Sequence, residues 1–402
     1  KALVGWKLDD KYAAGGPTGE GRGYVKGTAL LLATVDWKPA PDANCPSDQP
    51  ISACTLTPEQ KLTKSFFSNS GTEANETAIL AARCYTGSNE IIALRHSYHG
   101  RSALMMSLTA HGNWRLGGAP QPGIVHAHNA YCYRCPFGAK DENESGRLAA
   151  EAVGDAIDES VAAVIMEPDA GTNGIVAPDT YWPALRDITA KHGVLLIADE
   201  VMSGFGRCGE WFAWQRYGEA GRPDLMTLAK GLTGAAVPLG AVVLSADVSA
   251  KLEHEMLYTG LTYCGHPLAC AAGVAALEAY EHEKLIERSR ELGAAMFTEL
   301  ERLKQRHAII GDVRGGRGLF AVVELVTDRA SRTPLAPWPQ TPPPLKALVD
   351  AAFAEHNISL TTRGNLIILA PPLVITEREL ADALAVLDLL LARFFLTHDN
   401  RA

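Results

Sequence analysis

Gly193-Val-Leu-Leu-Ile-Ala-Asp-Glu200 is the stretch that decides how this chain folds. Val194 to Ala198 is a short, unbroken run of β-branched and aliphatic residues, as expected of a strand buried on both faces in a parallel sheet. Outward from it, Glu90-Ile-Ile-Ala-Leu94, Val161-Ala-Ala-Val-Ile-Met166 and Ala241-Val-Val-Leu-Ser245 read as further strands. The segments 73–86, 146–158 and 181–192 read as helices. Alternation of this kind predicts an α/β fold, a mostly parallel sheet flanked by helices.

That reading assigns 61–275 to a large domain. Toward its end, His266 to Tyr280 is a strongly apolar helix with Pro267 at a helix-start position. A helix over 283–306, strands at 319–325 and 365–370 and a last helix over 376–396 make 276–402 a smaller C-terminal α+β domain. The proline-rich stretch Pro334 to Pro344 reads as a surface crossing. Residues 1–60, rich in Gly, Pro, Asp and Lys, form an atypical N-terminal segment that reads as irregular chain around one strand. Its glycine-rich run ends in Lys26-Gly27-Thr28, whereas a Walker loop needs Gly-Lys-Ser/Thr opening a helix, so this is an ordinary loop.

Three features carry chemistry. In open α/β sheets, ligands lie outside the carboxyl ends of the strands, where Asp199 and Glu200 stand. A carboxylate there can keep a pyridine nitrogen protonated and make the ring an electron sink, although a strand-end acid more commonly caps the next turn. Ser70-Gly-Thr-Glu-Ala-Asn75 opens directly into a helix with an apolar face of Ala78, Ile79, Ala81 and Ala82. Such a turn offers unpaired N–H groups and a positive helix end to a phosphate, and is also the commonest form of plain N-cap. Lys230 sits in an apolar, glycine-rich setting, Leu228-Ala-Lys-Gly-Leu232. Desolvation lowers a lysine pKa, and the neutral amine attacks aldehydes. A lysine snorkelling from a helix end explains Lys230 alone equally well. In series, the three are the parts of a pyridoxal phosphate site.

From about Phe66 to its end the chain resembles the class III aminotransferases of pyridoxal phosphate fold type I. Ser97-Tyr-His-Gly-Arg-Ser102, Glu167-Pro168, Thr262-Tyr-Cys-Gly-His-Pro267 and Leu369-Ala-Pro-Pro-Leu373 carry the resemblance further. It implies that Lys230 bonds the cofactor aldehyde and Asp199 partners the pyridinium, these two being the catalytic pair. It also implies that Tyr98 stacks on the ring and Val201 covers the other face. Gly71 and Thr72, with Ser70, would cradle the phosphate, and His99 and Glu167 complete the cofactor set. Thr262 would reach the phosphate of the other subunit, which makes a homodimer the active form. Residues 1–60 do not resemble the N-terminal helix and strands of relatives.

The resemblance also bears on substrate. Members acting on 2-oxoglutarate, ornithine or 4-aminobutyrate usually write Asn-x-x-Arg-x-x-Pro-Pro-Leu, with a gating Glu five residues after the Glu of Glu-Pro. Here Ile368 stands for that Arg and Thr172 for that Glu. The nearest cation is Arg363, whose guanidinium suits one carboxylate or sulfonate. A turn arginine at the surface is the plain alternative. The expected reaction moves an amino group from taurine, β-alanine, an alanine-like donor or an amine to pyruvate or glyoxylate. An aminomutase, epimerase or decarboxylase on the same fold, or a non-catalytic relative, are the rival readings.

Composition sets limits. At 402 residues and 47% hydrophobic content the chain can bury a large core. A net charge of -9 argues against nucleic acid or an anionic membrane as partner. No apolar run approaches the roughly twenty residues of a membrane span, and no signal peptide is evident, so a cytoplasmic location is expected. The eight cysteines are scattered, which suits free thiols in a reducing compartment. His126-Ala-His128 with Cys132-Tyr-Arg-Cys135 lacks the well-separated second pair of a zinc site, so no metal is expected and the stretch reads as a structural loop.

Overall fold

The computed structural model describes residues 7–16, 19–26, 29–30, 62–115, 120–253, 257 and 259–395. Much of the atypical segment 1–60, and Gly27-Thr28 of its glycine-rich loop, therefore lie outside the described residues. Within that segment β1 (Lys7–Gly16), β2 (Gly19–Lys26) and β3 (Ala29–Leu30) form an antiparallel sheet, three strands where the sequence suggests one. These strands carry no apolar alternation. Their definition comes from pairing, with Gly16 opposite Gly19 in the register of β1 and β2.

The large sheet is built from β4 (Leu62–Ser68), β5 (Glu90–Leu94), β6 (Ile124–Ala127), β7 (Val161–Met166), then, past a short hairpin of β8 (Asp169–Ala170) and β9 (Ile175–Val176), β10 (Leu195–Asp199), β11 (Leu225–Leu228) and β12 (Gly240–Ser245). Their order is β4-β12-β11-β10-β7-β5-β6. The strands from β11 to β6 run parallel, and β12 and β4 close one edge antiparallel. All five residues of β10 and all six of β7 are buried, which is why both read as continuous apolar runs. The edge strand β6 is short and interrupted by His126, and β11 carries buried Thr227, so neither has a comparable signature.

Helices α1 (Gly71–Thr86), α2 (Ala103–Leu108), α3 (Glu142–Gly154), α4 (Tyr181–His192), α5 (Ala246–Leu252) and α6 (Pro267–His282) accompany this sheet. Two cores form, one on each face: Val164, Leu196, Trp182 and Leu185 lie in one, and Ile165, Ile197, Ala78 and Ile79 in the other. Neighbouring strand residues alternate between them, as strand geometry requires. Beyond α7 (Leu285–Arg306), the strands β13 (Ile310–Gly315), β14 (Ala321–Asp328), β15 (Thr333–Pro334), β16 (Thr361–Arg363) and β17 (Leu366–Leu369) build a second, antiparallel sheet. Helices α8 (Pro343–His356) and α9 (Glu377–Phe395) pack with α7 on a core of its own.

Candidate active site

The connections of the large sheet part between β5 and β7: β5 is followed by β6 on one side, while β7 and β10 continue on the other. Ligands of open α/β sheets bind outside the carboxyl ends at such a point. Tyr98 and His99 follow β5, Glu167 follows β7, and Asp199 closes β10.

Asp199 is the centre of a buried network. Its Oδ2 accepts hydrogen bonds from Asn75 Nδ2 and His99 Nδ1, each at 2.8 Å, and its Oδ1 accepts from the Val201 N–H at 3.1 Å. Asn75 is itself fixed, because its amide donates to the His99 carbonyl at 2.8 Å and its Oδ1 accepts from the Thr227 hydroxyl at 2.7 Å. The His99 N–H donates to Thr109 Oγ1 at 3.0 Å. Asp199, Asn75, His99, Thr109 and Thr227 are all buried. In so low a dielectric a fully bonded carboxylate is held in one orientation, and removing a partner is costly.

Glu167 accepts from the Tyr98 N–H at 3.0 Å. Burial pushes its carboxyl up to about 7, the charge of Asp199 adding to the rise and those of His99 and Lys230 opposing it. The charge of Lys230 is thus felt at Glu167. This lysine opens a 3-10 turn, Lys230–Thr233, directly after β11 with φ 42°. A non-glycine residue in that left-handed region costs about 1–3 kcal/mol and persists only where the surroundings impose it. Here they do. The Gly231 carbonyl accepts from Tyr280 Oη at 3.1 Å, and a Cβ at Gly231 would lie 2.8 Å from Phe205 Cβ. These neighbours grip the backbone and leave the Lys230 side chain exposed in the single chain, so the desolvated setting expected from its apolar sequence is not met there.

At the start of α1, Ser70 is a true N-cap. Its Oγ accepts from the Glu73 N–H at 3.2 Å, and Glu73 Oε2 accepts from the Asn69 N–H at 2.6 Å. The N–H groups of Gly71 and Thr72 find no acceptor among the described residues, so the cap leaves two amides open to an anion at this helix end. The loop after β5 crosses this turn so closely that a Cβ at Gly100, φ +137°, would lie 2.5 Å from Thr72 Oγ1. Val201 closes in from the other side, its two methyls 2.9 Å from where a Cβ of Gly71 would be. Two free amides at a helix N-terminus, a buried oriented carboxylate and a lysine at a strained turn fit the phosphate, ring nitrogen and aldehyde of pyridoxal phosphate.

Two expected residues lie further out. Thr262 is exposed, and its carbonyl accepts from Asn69 Nδ2 at 2.8 Å, one residue before the Ser70 cap. Arg363, at the end of β16, holds its guanidinium 5.7 Å over the ring of Trp114, which meets Tyr98 edge-on at 5.3 Å. One Nη donates to the Thr362 carbonyl at 2.8 Å, while its buried Nε has no partner. Burial, with the Arg363 charge adding, holds the nearby His111 below the usual histidine range. Asn75, Thr227, Thr109 and Trp114 are contributors that motif reading passes over. Asn75 had a signal: it lies on α1 beside Ala74, Ala78 and Ile79, a polar side chain on a buried apolar face.

The class-III aminotransferase family profile matches residues 49–391. The chain belongs to the class-III aminotransferases. It is 35% identical over 337 residues to the putrescine–pyruvate aminotransferase of Pseudomonas aeruginosa, covering 80% of this chain and 71% of that one. Among solved structures it resembles an amine transaminase from an uncultivated Pseudomonas species in its pyridoxal phosphate-bound form, with TM-score 0.78, 33% identity and coverage of 83% and 78%. It also resembles the taurine:2-oxoglutarate aminotransferase of Bifidobacterium kashiwanohense in complex with the cofactor and glutamate, with TM-score 0.77, 33% identity and coverage of 83% and 76%. The aminotransferase is thus a pyridoxal phosphate enzyme of fold type I, acting on an amino donor and a 2-oxo acid acceptor. Among the described residues no helix is long and apolar enough to cross a membrane, and no group of three or more His, Cys, Asp or Glu is placed to hold a metal.

Proposed function

We propose that this aminotransferase moves an amino group from an ω-amino acid or amine, such as taurine, β-alanine or an alanine-like donor, to a small 2-oxo acid such as pyruvate or glyoxylate. The observation that carries the reading is the placement of the Arg363 guanidinium over Trp114, which itself meets Tyr98 edge-on, with Nε unpaired. Ile368 is buried among Phe320, Val322 and Leu366, and Thr172 is uncharged. One guanidinium serves one carboxylate or sulfonate, and nothing at 368 or 172 serves a second. The pyruvate acceptor and amine donors in the names of two relatives agree with this.

Bound pyridoxal phosphate supplies an aldehyde and a ring that delocalises the electrons left when the donor carbon loses its proton. The remaining work falls to the chain. Lys230 Nζ would hold the cofactor at its aldehyde and, once displaced by the donor amine, would serve as the base that takes the donor-carbon proton and the acid that gives it back. Asp199 keeps the ring nitrogen protonated, oriented by Asn75 and His99. Tyr98 and Val201 would hold the ring between them, and Ser70, Gly71 and Thr72 would hold the phosphate. Glu167 fixes the Tyr98 backbone, and Thr262 of the partner subunit completes the phosphate site, so the working unit is a homodimer. A cytoplasmic location belongs to the same reading.

The test records the visible spectrum of the cofactor-loaded protein after adding taurine, β-alanine, L-alanine or a simple ω-amine, and then pyruvate or 2-oxoglutarate. Conversion by one of these donors and recovery with pyruvate is the expected result. A strict preference for 2-oxoglutarate overturns the acceptor assignment, and turnover that needs no 2-oxo acid overturns transamination itself.

A further inference from the structure

Cys132-Tyr-Arg-Cys135 forms one 3-10 turn in which the Cys135 N–H donates to the Cys132 carbonyl at 3.2 Å. A turn of this kind keeps its first and last Cα within about 7 Å, the span a disulfide bridges. Both sulfurs lie against the Ser145 hydroxyl, and both residues are partly exposed as free thiols. Cys132 Sγ also faces the carbonyls of Ala130 and Glu142 at 3.8 and 3.9 Å. The two thiols differ. Burial raises the Cys132 thiol. At Cys135 the effect of burial is outweighed by hydrogen bonds from Ser145 and the N–H groups of Ala139, Phe137 and Gly138, which hold its thiol below the ordinary value. An attacking thiol and a resolving thiol are thus set side by side.

What lies between them gives the turn a reach beyond itself. Arg134 Nε donates to Glu324 Oε1 at 2.6 Å and its Nη1 to the Arg332 carbonyl at 2.8 Å, while Arg332 donates back to the Tyr133 carbonyl at 2.6 Å. Glu324 is buried on β14 and also accepts from Tyr131 and, at 2.8 Å, from Arg314. The turn is therefore a clasp between the large domain and the second sheet.

We propose that Cys132 and Cys135 are a reversible dithiol–disulfide site whose closure is transmitted to β14 through Tyr133 and Arg134. A small disulfide such as oxidised glutathione is the oxidant. The Cys135 thiolate attacks one of its sulfurs, that S–S bond breaks and one glutathione thiolate leaves. Cys132 then gives up its proton and attacks the Cys135 sulfur, the protein S–S bond forms, and the second glutathione leaves as thiolate and takes a proton. Two protein thiols are oxidised and one disulfide is reduced to two thiols.

The experiment incubates the cofactor-loaded enzyme with oxidised glutathione and maps its cysteines by mass spectrometry, before and after dithiothreitol. Wild type is expected to show a Cys132–Cys135 crosslink that dithiothreitol reverses. Cys132→Ser is expected to stop at a glutathione adduct on Cys135, Cys135→Ser to give no crosslink, and Cys84→Ser, at an exposed cysteine elsewhere, to behave as wild type. Two unchanged thiols, or a lasting adduct in wild type, overturn the site. Hydrogen exchange over Ala321–Asp328 reads the transmission, with severalfold faster exchange expected after closure. An intact crosslink with unchanged exchange overturns the coupling to β14.

Discussion

His99 turns its Nδ1 to Asp199 Oδ2 at 2.8 Å in a site where neither side chain meets solvent. Breaking a buried pair of this kind by removing one partner costs about 3–5 kcal/mol, because the other group is left uncompensated. His99→Ala should therefore lower stability and let Asp199 reorient, cutting kcat by about ten- to a hundredfold, or about 1.4–2.7 kcal/mol in barrier. Thermal unfolding and steady-state rates with saturating cofactor check this together. An unchanged kcat would mean that Asn75 alone suffices to aim the carboxylate.

Lys230 and Asp199 separate by what they lose. Lys230→Ala should abolish turnover, since no other amine is assigned the proton transfer at the donor carbon. Asp199→Asn should cost orders of magnitude in rate while the lysine still bonds the cofactor, visible as a retained absorption band. Turnover in the lysine variant would reject the assignment.

Acid–base linkage predicts the direction in which stability changes with pH. Glu200 accepts from Ser203 Oγ at 2.5 Å and the Trp214 N–H at 3.0 Å, but burial dominates and pushes its carboxyl up to about 7, as at Glu167. The folded chain holds these two protons more tightly than the unfolded one. Their contribution is complete below the ordinary value of 4.5 and is lost as pH rises through about 7. Each proton is worth up to about 1.4 kcal/mol per pH unit in that window. Glu200→Gln should flatten the fall of Tm between about pH 5 and 7 by one proton's share. An identical slope in wild type and variant would contradict it.

Ion pairs in this chain are unequal, and burial ranks them. Glu324, buried beneath Arg314, Arg134 and Tyr131, should be costly to remove: Glu324→Ala deletes the buried acceptor those three side chains share, leaves Arg314 with Asp312 as its remaining carboxylate, and should lose about 3–5 kcal/mol. Arg393 and Glu355 pair in the open, so Glu355→Ala should change stability by less than about 1 kcal/mol. Denaturant unfolding of both variants makes the comparison.

Arg363→Ala tests the proposed carboxylate contact. It should raise KM for pyruvate by about tenfold or more, as expected for a charge-assisted contact worth about 1.4–3 kcal/mol, and leave the reaction with an uncharged-tail amine little changed. Equal effects on both halves would place Arg363 in packing against Trp114 instead.

The sequence by itself determined the α/β architecture of the large sheet and where along it a strand-end acid stands. Strands such as β7 and β10 are buried on both faces, so burial appears directly as an unbroken apolar run, and the acid at the end of such a run must stand at the ligand edge of the sheet. The helix start at Ser70 was equally legible, because a cap and a phosphate turn call for the same residues. Tertiary structure decided the rest. The polar, glycine-rich strands of 7–30 acquire definition only from pairing, and β6 and β11 only from their neighbours. Asn75, Thr227 and Thr109 take their roles from hydrogen bonds across 124, 152 and 10 residues of chain, distances no local pattern encodes. The exposure of Lys230 follows the same logic: its apolar neighbours Leu228, Ala229 and Leu232 are buried around a left-handed backbone, and the lysine side chain is left exposed.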